Sequence, residues 1–484
     1  MTIDIQLDEK KPAKIVTPEL ITKSEKPIKI ESPRKKKKRS IFVLVGIVLV
    51  ILGGLVFLVY KGIAFSKNIG FNFNANDITA PEKEPELAKD SSGKYTNILI
   101  VGVDTRDKEA LLNTDTLILA SYNYETKDIV MISTPRDFMA EINNSNWFNK
   151  INSVYLYAEN KTKGSGMMAL RKTIEEVTGT EIQYHAMVDF KAFEKIIDAV
   201  GGVDINVENS FTDYKYPDGY SYKTISFKAG PQTMDGKTAL EYARSRHSQQ
   251  NNEGGDYARA KRQQKVIVAL QEKILNTSTL TSPKAIMEIF ASVANNIKVS
   301  EFTIDDIQAG LNLAKDFQDN NGKSYSFVLD PSAGNSQIIS NQNVFGPDGK
   351  TVTDYRIGPK LGLGNYTDIN KYVKQILLHP QLYTENASVY VYNVGLGAQE
   401  ASKKVAELKK AYPYLKIIYS GTKYSNKEGS AIYSNTPDTY LRTVTEYSKF
   451  LGITQTTKPD YITTNLNGGD VTILLGKPVQ LSSE

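Results

Sequence analysis

Cysteine is absent from the 484 residues, and histidine occurs three times, at His185, His247 and His379. The first absence removes disulfides, thiolate nucleophiles and cysteine-ligated metals, so a part of the chain folding outside the cell would rest on its apolar core alone. The second leaves too few ligands for a multi-histidine zinc site. The full Walker-type pattern, Gly-x4-Gly-Lys-Ser/Thr, does not occur, and no Ser-His-Asp arrangement competes for the chemistry. Gly201-Gly202 is too short to cradle phosphates and reads as the stop of a helix. Internal repeats are missing, as is low complexity outside one basic stretch.

Charge is unevenly placed. Residues 1–40 carry 12 Lys or Arg against 6 Asp or Glu, a net +6, so the chain's overall +5 leaves the other 444 residues at −1. A main body of that charge gives no footing for nucleic acid, and a DNA-binding reading is set aside. Residues 1–40, dominated by Lys, Glu and Pro, read as a disordered basic tail. Residues 41–60, IFVLVGIVLVILGGLVFLVY, are uncharged and almost wholly apolar. As a helix they span about 30 Å, the thickness of a bilayer core. The cluster PRKKKKR (33–39) precedes them, which predicts a single-pass anchor with a cytoplasmic N-terminus and residues 61–484 extracytoplasmic. The run is too long for a signal peptide, and no small-x-small cleavage site follows it closely. Residues 61–94 read as a stalk.

From residue 95 onward the pattern alternates. Buried strands are expected at 97–103, 116–122 and 129–133, helices at 167–177 and 190–200, and a strand at 203–207. A helix starting near Tyr257 places Arg259, Gln263, Val266, Ile267, Leu270 and Ile274 on one face, with Asp256 as its N-cap. Helices follow at 284–295, 304–317 and 367–379, with 320–366 irregular. The fold class expected is α/β, an α-β-α sandwich on a central mixed sheet over residues 95–385. A small C-terminal α/β domain is expected over 386–478, with strands near 388–394, 415–419 and 471–475 and helices at 399–412 and 438–451.

The richest chemistry lies in YARSRHSQQNNEGGDYARAKRQQKVI (242–267), where Arg244, Arg246, Arg259, Lys261 and Arg262 surround Asp256. Arginine forks onto phosphate oxygens in a bidentate way that lysine does not. Three strand ends carry further charges: Asp104 and Arg106 after the first, Asp115 before the second, and Arg136 with Asp137 after the third. Taken singly, each suits a turn cap or an exposed ion pair, and Lys150 and His247 read as surface residues. Together, two or three carboxylates and four or five arginines suit a diphosphate bridged by a hard cation. Outside a membrane ATP is not available, so the phosphoryl donor would arrive already activated, as a membrane-held pyrophosphate lipid does.

The segments NILIVGVDTR (97–106), NTDTLILAS (113–121), ISTPRD (132–137), KINSVYLYA (150–158), FEKIIDAVGGVDINV (193–207), FKAGPQTMDGKTALEYARSRH (227–247) and GDYARAKRQQKVI (255–267) resemble, in order, those of the LytR–CpsA–Psr family of bacterial cell-envelope proteins. Residues 388–476 resemble the C-terminal domain that often accompanies it. The resemblance implies the family's fold and a membrane-anchored extracytoplasmic phosphotransferase. Such an enzyme moves a glycopolymer (teichoic acid, capsule or another secondary polymer) from a polyprenyl pyrophosphate carrier to peptidoglycan. By the resemblance, Asp104 and Asp115 hold Mg²⁺ or Mn²⁺. Arg136, Arg244 and Arg246 bind pyrophosphate, with Arg106, Asp256, Arg259, Arg262 and Gln263 completing the pocket. Asp115 and Asp256 both remain open as the base. The prenyl tail is expected in an apolar cavity near Phe190, Phe193 and Ile197. Two features depart from the family pattern: Asn113 stands where many members carry arginine, and the SQQNN loop (248–252) is long and amide-rich. The competing reading is a non-catalytic polyprenyl-phosphate glycan binding module or envelope regulator.

Overall fold

The computed structural model describes residues 85–103, 113–142, 145–219, 221–276, 297–300, 304–334, 336–342, 355–463, 466 and 469–479. The expected tail, membrane helix and most of the stalk, the helix at 284–295, and Asp104 and Arg106 lie outside them. Among the described residues no helix is long and apolar enough to cross a membrane.

Strands β1 (Tyr95–Val103), β2 (Thr114–Asn123) and β3 (Ile129–Ser133) form an antiparallel meander. Two short strands, β4 (Met139–Glu141) and β5 (Phe148–Lys150), pair beside it, and helices α1 (Val154–Lys161) and α2 (Gly166–Thr178) follow. Strand β6 (Tyr184–Asp189) returns parallel to β1 and feeds α3 (Phe190–Ala199). Next come β7 (Val203–Val207), the hairpin β8 (Phe211–Asp218) and β9 (Ser221–Phe227), and β10 (Gly230–Met234), antiparallel to β7. Helix α4 (Gly236–Arg244) and the 22-residue α5 (Gly255–Asn276) lead to β11 (Ile297–Val299), antiparallel to β6. Helix α6 (Ile304–Asp319) precedes β12 (Ser324–Val328), parallel to β3. The pair β13 (Ile339–Asn341) and β14 (Ile357–Pro359), then α7 (Thr367–Leu378) and α8 (Pro380–Glu385), complete this part. The central sheet is therefore mixed, in the order β11-β6-β1-β2-β3-β12.

Both faces of this sheet are covered, so its middle strands read as continuous apolar runs and not as alternating ones. Side chains on a strand alternate between faces. Leu99, Val101, Leu117, Leu119, Val130 and Ile132 pack with Tyr155 of α1 and Leu170 and Ile174 of α2. Ile98, Ile118, Ala120, Ile129 and Met131 pack the other way, against Ala309, Leu313 and Phe317 of α6, with Ile267 and Val268 of α5 alongside. This is the expected α-β-α sandwich. Residues 320–366 are not irregular throughout: Ser324–Val328 forms the edge strand beside β3. Its five residues sit among Gly, Asn and Ser, too short and too polar-flanked for a clear two-residue period.

A second sheet, in the order β16-β15-β18-β17, is built from β15 (Val389–Asn393), β16 (Ile417–Thr422), β17 (Ala431–Ser434) and β18 (Val471–Leu475), with α9 (Ala398–Ala411) and α10 (Leu441–Leu451). Its core is not fully separate. The cluster under α1 and α2 continues through Ile376 and Leu382 into Val389, Val391 and Ile473.

The region carrying the functional candidates is fixed by close backbone approach. Asp189 caps α3 by accepting from Ala192 N at 2.8 Å, and Asp235 caps α4 by accepting from Thr238 N at 2.8 Å. At the first residue of α4, the Gly236 amide donates to Asp198 Oδ1 at 2.7 Å, and a Cβ there would sit 2.2 Å from the Glu194 carbonyl oxygen. Only glycine lets α4 lie this close to α3. Gly236→Ala, which in an open helix is favourable by about 0.5–1 kcal/mol, should here cost on the order of 1–3 kcal/mol. Urea unfolding of the protein measures it; an unchanged or higher midpoint would contradict the close approach.

Candidate functional site

Of the acids and cations expected at the strand ends, those among the described residues, Asp115, Arg136 and Asp137, do meet. The chain leaves β1 at Val103, which pairs with Thr114, one residue before Asp115. Arg136 follows β3 and reaches across, NH1 donating to Asp115 Oδ1 at 3.1 Å and Oδ2 at 3.2 Å. Its Nε lies 3.5 Å from Asp137 Oδ2 and 3.9 Å from Asp256 Oδ1. One largely buried guanidinium thus faces three carboxylates. Arg259 NH2 lies 2.7 Å from Asp256 Oδ1, and Lys150 Nζ lies 2.5 Å from Asp137 Oδ1. Asp115, Arg136, Asp256 and Arg259 form one cluster, as expected. Asp137 and Lys150 belong to it too, which corrects their reading as exposed or surface residues. Asp137 is buried, and β5 ends at Lys150, delivering its ammonium inward.

The electrostatics follow from this crowding. Burial pushes the Asp137 carboxyl up, helped by its hydrogen bond with Asp256, while Lys150 and Arg136 oppose the shift. Burial also resists ionisation of Asp256, but Arg259, then Asp137 and Arg136, outweigh it and hold Asp256 below the ordinary carboxylate range. Arg136 loses solvation, yet Asp115, Asp256 and Asp137 more than compensate, so its charge is held more firmly than usual. Two facing carboxyls driven in opposite directions are the arrangement from which one can hold a proton while the other stays charged.

The oxygen donors here suit a hard cation. Asp256 Oδ1 and Arg136 Nε are buried without a hydrogen-bond partner of good geometry, so the cluster is not closed on itself. Among the described residues no three acidic or histidine side chains gather tightly enough to cage a metal. A cation taking one or two carboxylates and completing its shell from a ligand's phosphate oxygens is compatible with that, and Asp115 is placed to contribute.

Helix α5 connects this cluster to an apolar cavity of about 140 Å³ between sheet and helices, lined by Val101, Phe190, Phe193, Ile196, Val266 and Leu270 among others. Gln263 lines it one helical turn beyond Arg259, on the same face. Arg244, the last residue of α4, lines it as well, its guanidinium 4.2 Å from the Phe190 ring centroid and donating to Tyr216 Oη at 2.9 Å. Phe190 and Phe193 were expected here. Ile197 was too, but it is turned into the core beneath β7 and β10, and Ile196 lines the cavity instead. One residue is 100° on a helix, enough to change faces.

Arg262 is corrected more sharply. It is fully buried, with Nε donating to the Tyr242 carbonyl at 3.0 Å and NH1 to the Glu253 carbonyl at 2.8 Å and to Glu253 Oε2 at 2.7 Å. Its NH2 donates to the Ser245 carbonyl, and its plane lies over Phe211. The guanidinium is spent on holding the 245–254 loop and has no fork to offer a phosphate. Asp213, unforeseen in the sequence, completes the clasp. It is buried and accepts from Ser245 Oγ at 2.8 Å and from the Arg246 and His247 amides at 3.1 Å. That fixes the backbone of Arg246, whose side chain is half-buried. The long amide-rich loop is ordered by its own chemistry, since Asn251 and Asn252 take positive φ angles that asparagine tolerates.

The ionised cluster and the apolar cavity are thus linked along α5, Arg259 belonging to the first and Gln263, one turn on, lining the second. The LytR_cpsA_psr family model matches residues 65–354, and the chain belongs to the LytR–CpsA–Psr family. It is 31% identical over 289 residues, 58% of this chain and 85% of the other, to the polyisoprenyl-teichoic acid–peptidoglycan teichoic acid transferase TagU of Bacillus licheniformis. It is 30% identical over 259 residues, 53% of this chain and 70% of the other, to the regulatory protein MsrR of Staphylococcus aureus. The crystal structure of B. subtilis TagV is similar at 23% identity over 59% of this chain and 97% of that one, with a TM-score of 0.42.

Lysine keeps the charge of arginine but not its fork. Arg262→Lys should therefore destabilise the fold by on the order of 2–4 kcal/mol, as breaking a buried, multiply bonded ion does. Thermal unfolding reads this directly; unchanged stability with weakened ligand binding would return Arg262 to the ligand site.

Proposed function

We propose that this chain transfers a glycopolymer phosphate from a polyprenyl pyrophosphate carrier to peptidoglycan. The observation that carries the proposal is the sharing of Arg136 by Asp115, Asp137 and Asp256, with Arg259 beside them one helical turn from the apolar cavity. The names borne by relatives such as TagU support the same donor and acceptor. The apolar run at 41–60 behind its basic cluster supports an anchored protein whose catalytic part faces outward, where such carriers end.

In this reading the cavity takes the first isoprenoid segment and aligns the diphosphate with the cluster. Arg136, Arg259 and Arg244 are the guanidiniums placed to neutralise it, with Arg246 held nearby by its backbone. A sugar hydroxyl of peptidoglycan attacks the phosphorus proximal to the polymer. A new phosphorus–oxygen bond forms, the bond to the bridging oxygen breaks, and polyprenyl monophosphate leaves. The hydroxyl proton passes to a carboxylate. Asp115 and Asp256, both facing Arg136, are the two candidates for that acceptor. Mg²⁺ or Mn²⁺, held by Asp115 with Asp104, would supply positive charge where the leaving phosphate develops negative charge. The side chains' contribution is to position the head group and to exclude water around it.

Arg136→Ala should lower the transfer rate by about 10²–10³-fold, the usual cost of one preorganised donor to developing charge. Arg244→Ala should chiefly raise the KM for the donor. Both are read with a polyprenyl-pyrophosphate glycan donor and isolated peptidoglycan, and full activity in both variants would sink the assignment. Phe193→Trp, which fills the cavity, should weaken long-chain donors more than short-chain analogues; equal effects on both would remove the tail from this cavity. Chelation with EDTA should stop product formation and added Mg²⁺ or Mn²⁺ restore it, whereas undiminished turnover in EDTA would exclude the metal.

A further inference from the structure

Helix α5 is a partition. Its Gln263, Val266, Ile267 and Leu270 face the apolar cavity, while Tyr257, Lys261, Lys265 and Glu272 line a different space on the opposite side. That space is a groove of about 480 Å³, closed on its far wall by β7 and on its floor by β12. Gln264 seals the floor, its Nε2 donating to Ser133 Oγ and to the Phe327 carbonyl, each at 2.9 Å. The groove begins at Tyr257, the residue after Asp256, and follows α5 to Glu272, a rise of about 22 Å at 1.5 Å per residue. It thus starts at the acid cluster and leads away from it on the side the donor cavity does not use.

Its chemistry narrows the occupant. Lys261 and Lys265 are outnumbered by Asp204, Glu208 and Glu272. Lys265 Nζ lies 2.7 Å from Glu208 Oε1, and Lys273 Nζ lies 3.1 Å from Asp204 Oδ2, so these charges are already matched. With Lys273 counted, three lysines meet three acids, so the walls offer no excess positive charge to a polyphosphate, which argues against the polymer arm of the donor. They present donors and acceptors around an apolar lining that includes Ile205, Val268, Phe327 and Val328, with the Tyr257 ring at the end nearest the cluster. That suits a hydroxyl-rich strand of low charge density. We infer that this groove binds the acceptor glycan strand and presents its attacking hydroxyl at the Asp256 end of α5. This rests on the transferase reading above, and names where its second substrate lies.

Asn206 projects from the exposed face of β7 into the groove, and neither it nor Lys261 belongs to the catalytic cluster. Asn206→Trp should block the groove sterically, and a strand tolerates the aromatic side chain. Lys261→Ala should remove one hydrogen-bonding wall group without adding bulk. The probe is uncrosslinked peptidoglycan glycan strands, first in direct equilibrium binding to the purified extracytoplasmic protein. Binding should weaken at least tenfold in Asn206→Trp and measurably in Lys261→Ala, with binding of the polyprenyl-pyrophosphate donor unchanged. In the transfer assay the KM for strands should rise with little change in kcat. Equal strand binding by the unsubstituted protein and Asn206→Trp would overturn the groove. If the unsubstituted protein binds strands but never consumes donor, the transferase reading fails, and the binding comparison still decides the groove.

Discussion

The site depends on Arg136. Its guanidinium sits within 4 Å of carboxylate oxygens on Asp115, Asp137 and Asp256, contributed by β2, by the turn after β3 and by the start of α5. Three acids in one partly buried space repel one another, and a single planar cation with several fixed donors is what lets them approach. Arg259 and Lys150 take up the charge that remains. The consequence is an electrically balanced cluster that still keeps buried polar atoms without good partners, which is the condition for accepting a charged ligand.

Around it the structure separates two environments with one helix. The face of α5 carrying Gln263 and Leu270 looks onto an apolar cavity, and the face carrying Lys261 and Lys265 looks onto a groove of mixed polar and apolar lining. The groove reaches the helix's first turn at Tyr257, and the cavity begins at Gln263, one turn beyond Arg259. An amphiphilic donor and a polar acceptor could then approach from opposite sides without competing for surface. The supporting shell is tight: Arg262 and Asp213 pin the loop carrying Arg246, and Gly236 brings α4 against α3 so that Arg244 ends beside Phe190.

Much of this was legible in the chain. The meander β1–β3 is long and apolar, so its ends, and the charges on them, could be located without coordinates. The helical period of α5 placed Gln263, Val266, Ile267 and Leu270 on one face, and they share one cavity. Other features were not legible, for identifiable reasons. Arg262 stands in the same cationic run as Arg259, and only three-dimensional contact with three carbonyls distinguishes a strut from a ligand-binding group. Asp213 lies 33 residues from Arg246 in a hairpin with no motif of its own. Lys150 looked like a surface residue because nothing local shows that β5 aims it at Asp137. The edge strand β12 is defined by its parallel partner β3 more than by its own five residues.

The identity of the lipid released on transfer tests the central claim most directly. If the cluster grips a diphosphate and directs attack at the phosphorus proximal to the polymer, mass spectrometry of the lipid after reaction with donor and peptidoglycan should show polyprenyl monophosphate. The wall should carry the polymer through a new phosphodiester. Release of intact polyprenyl pyrophosphate would place the attack at the sugar carbon and contradict the account.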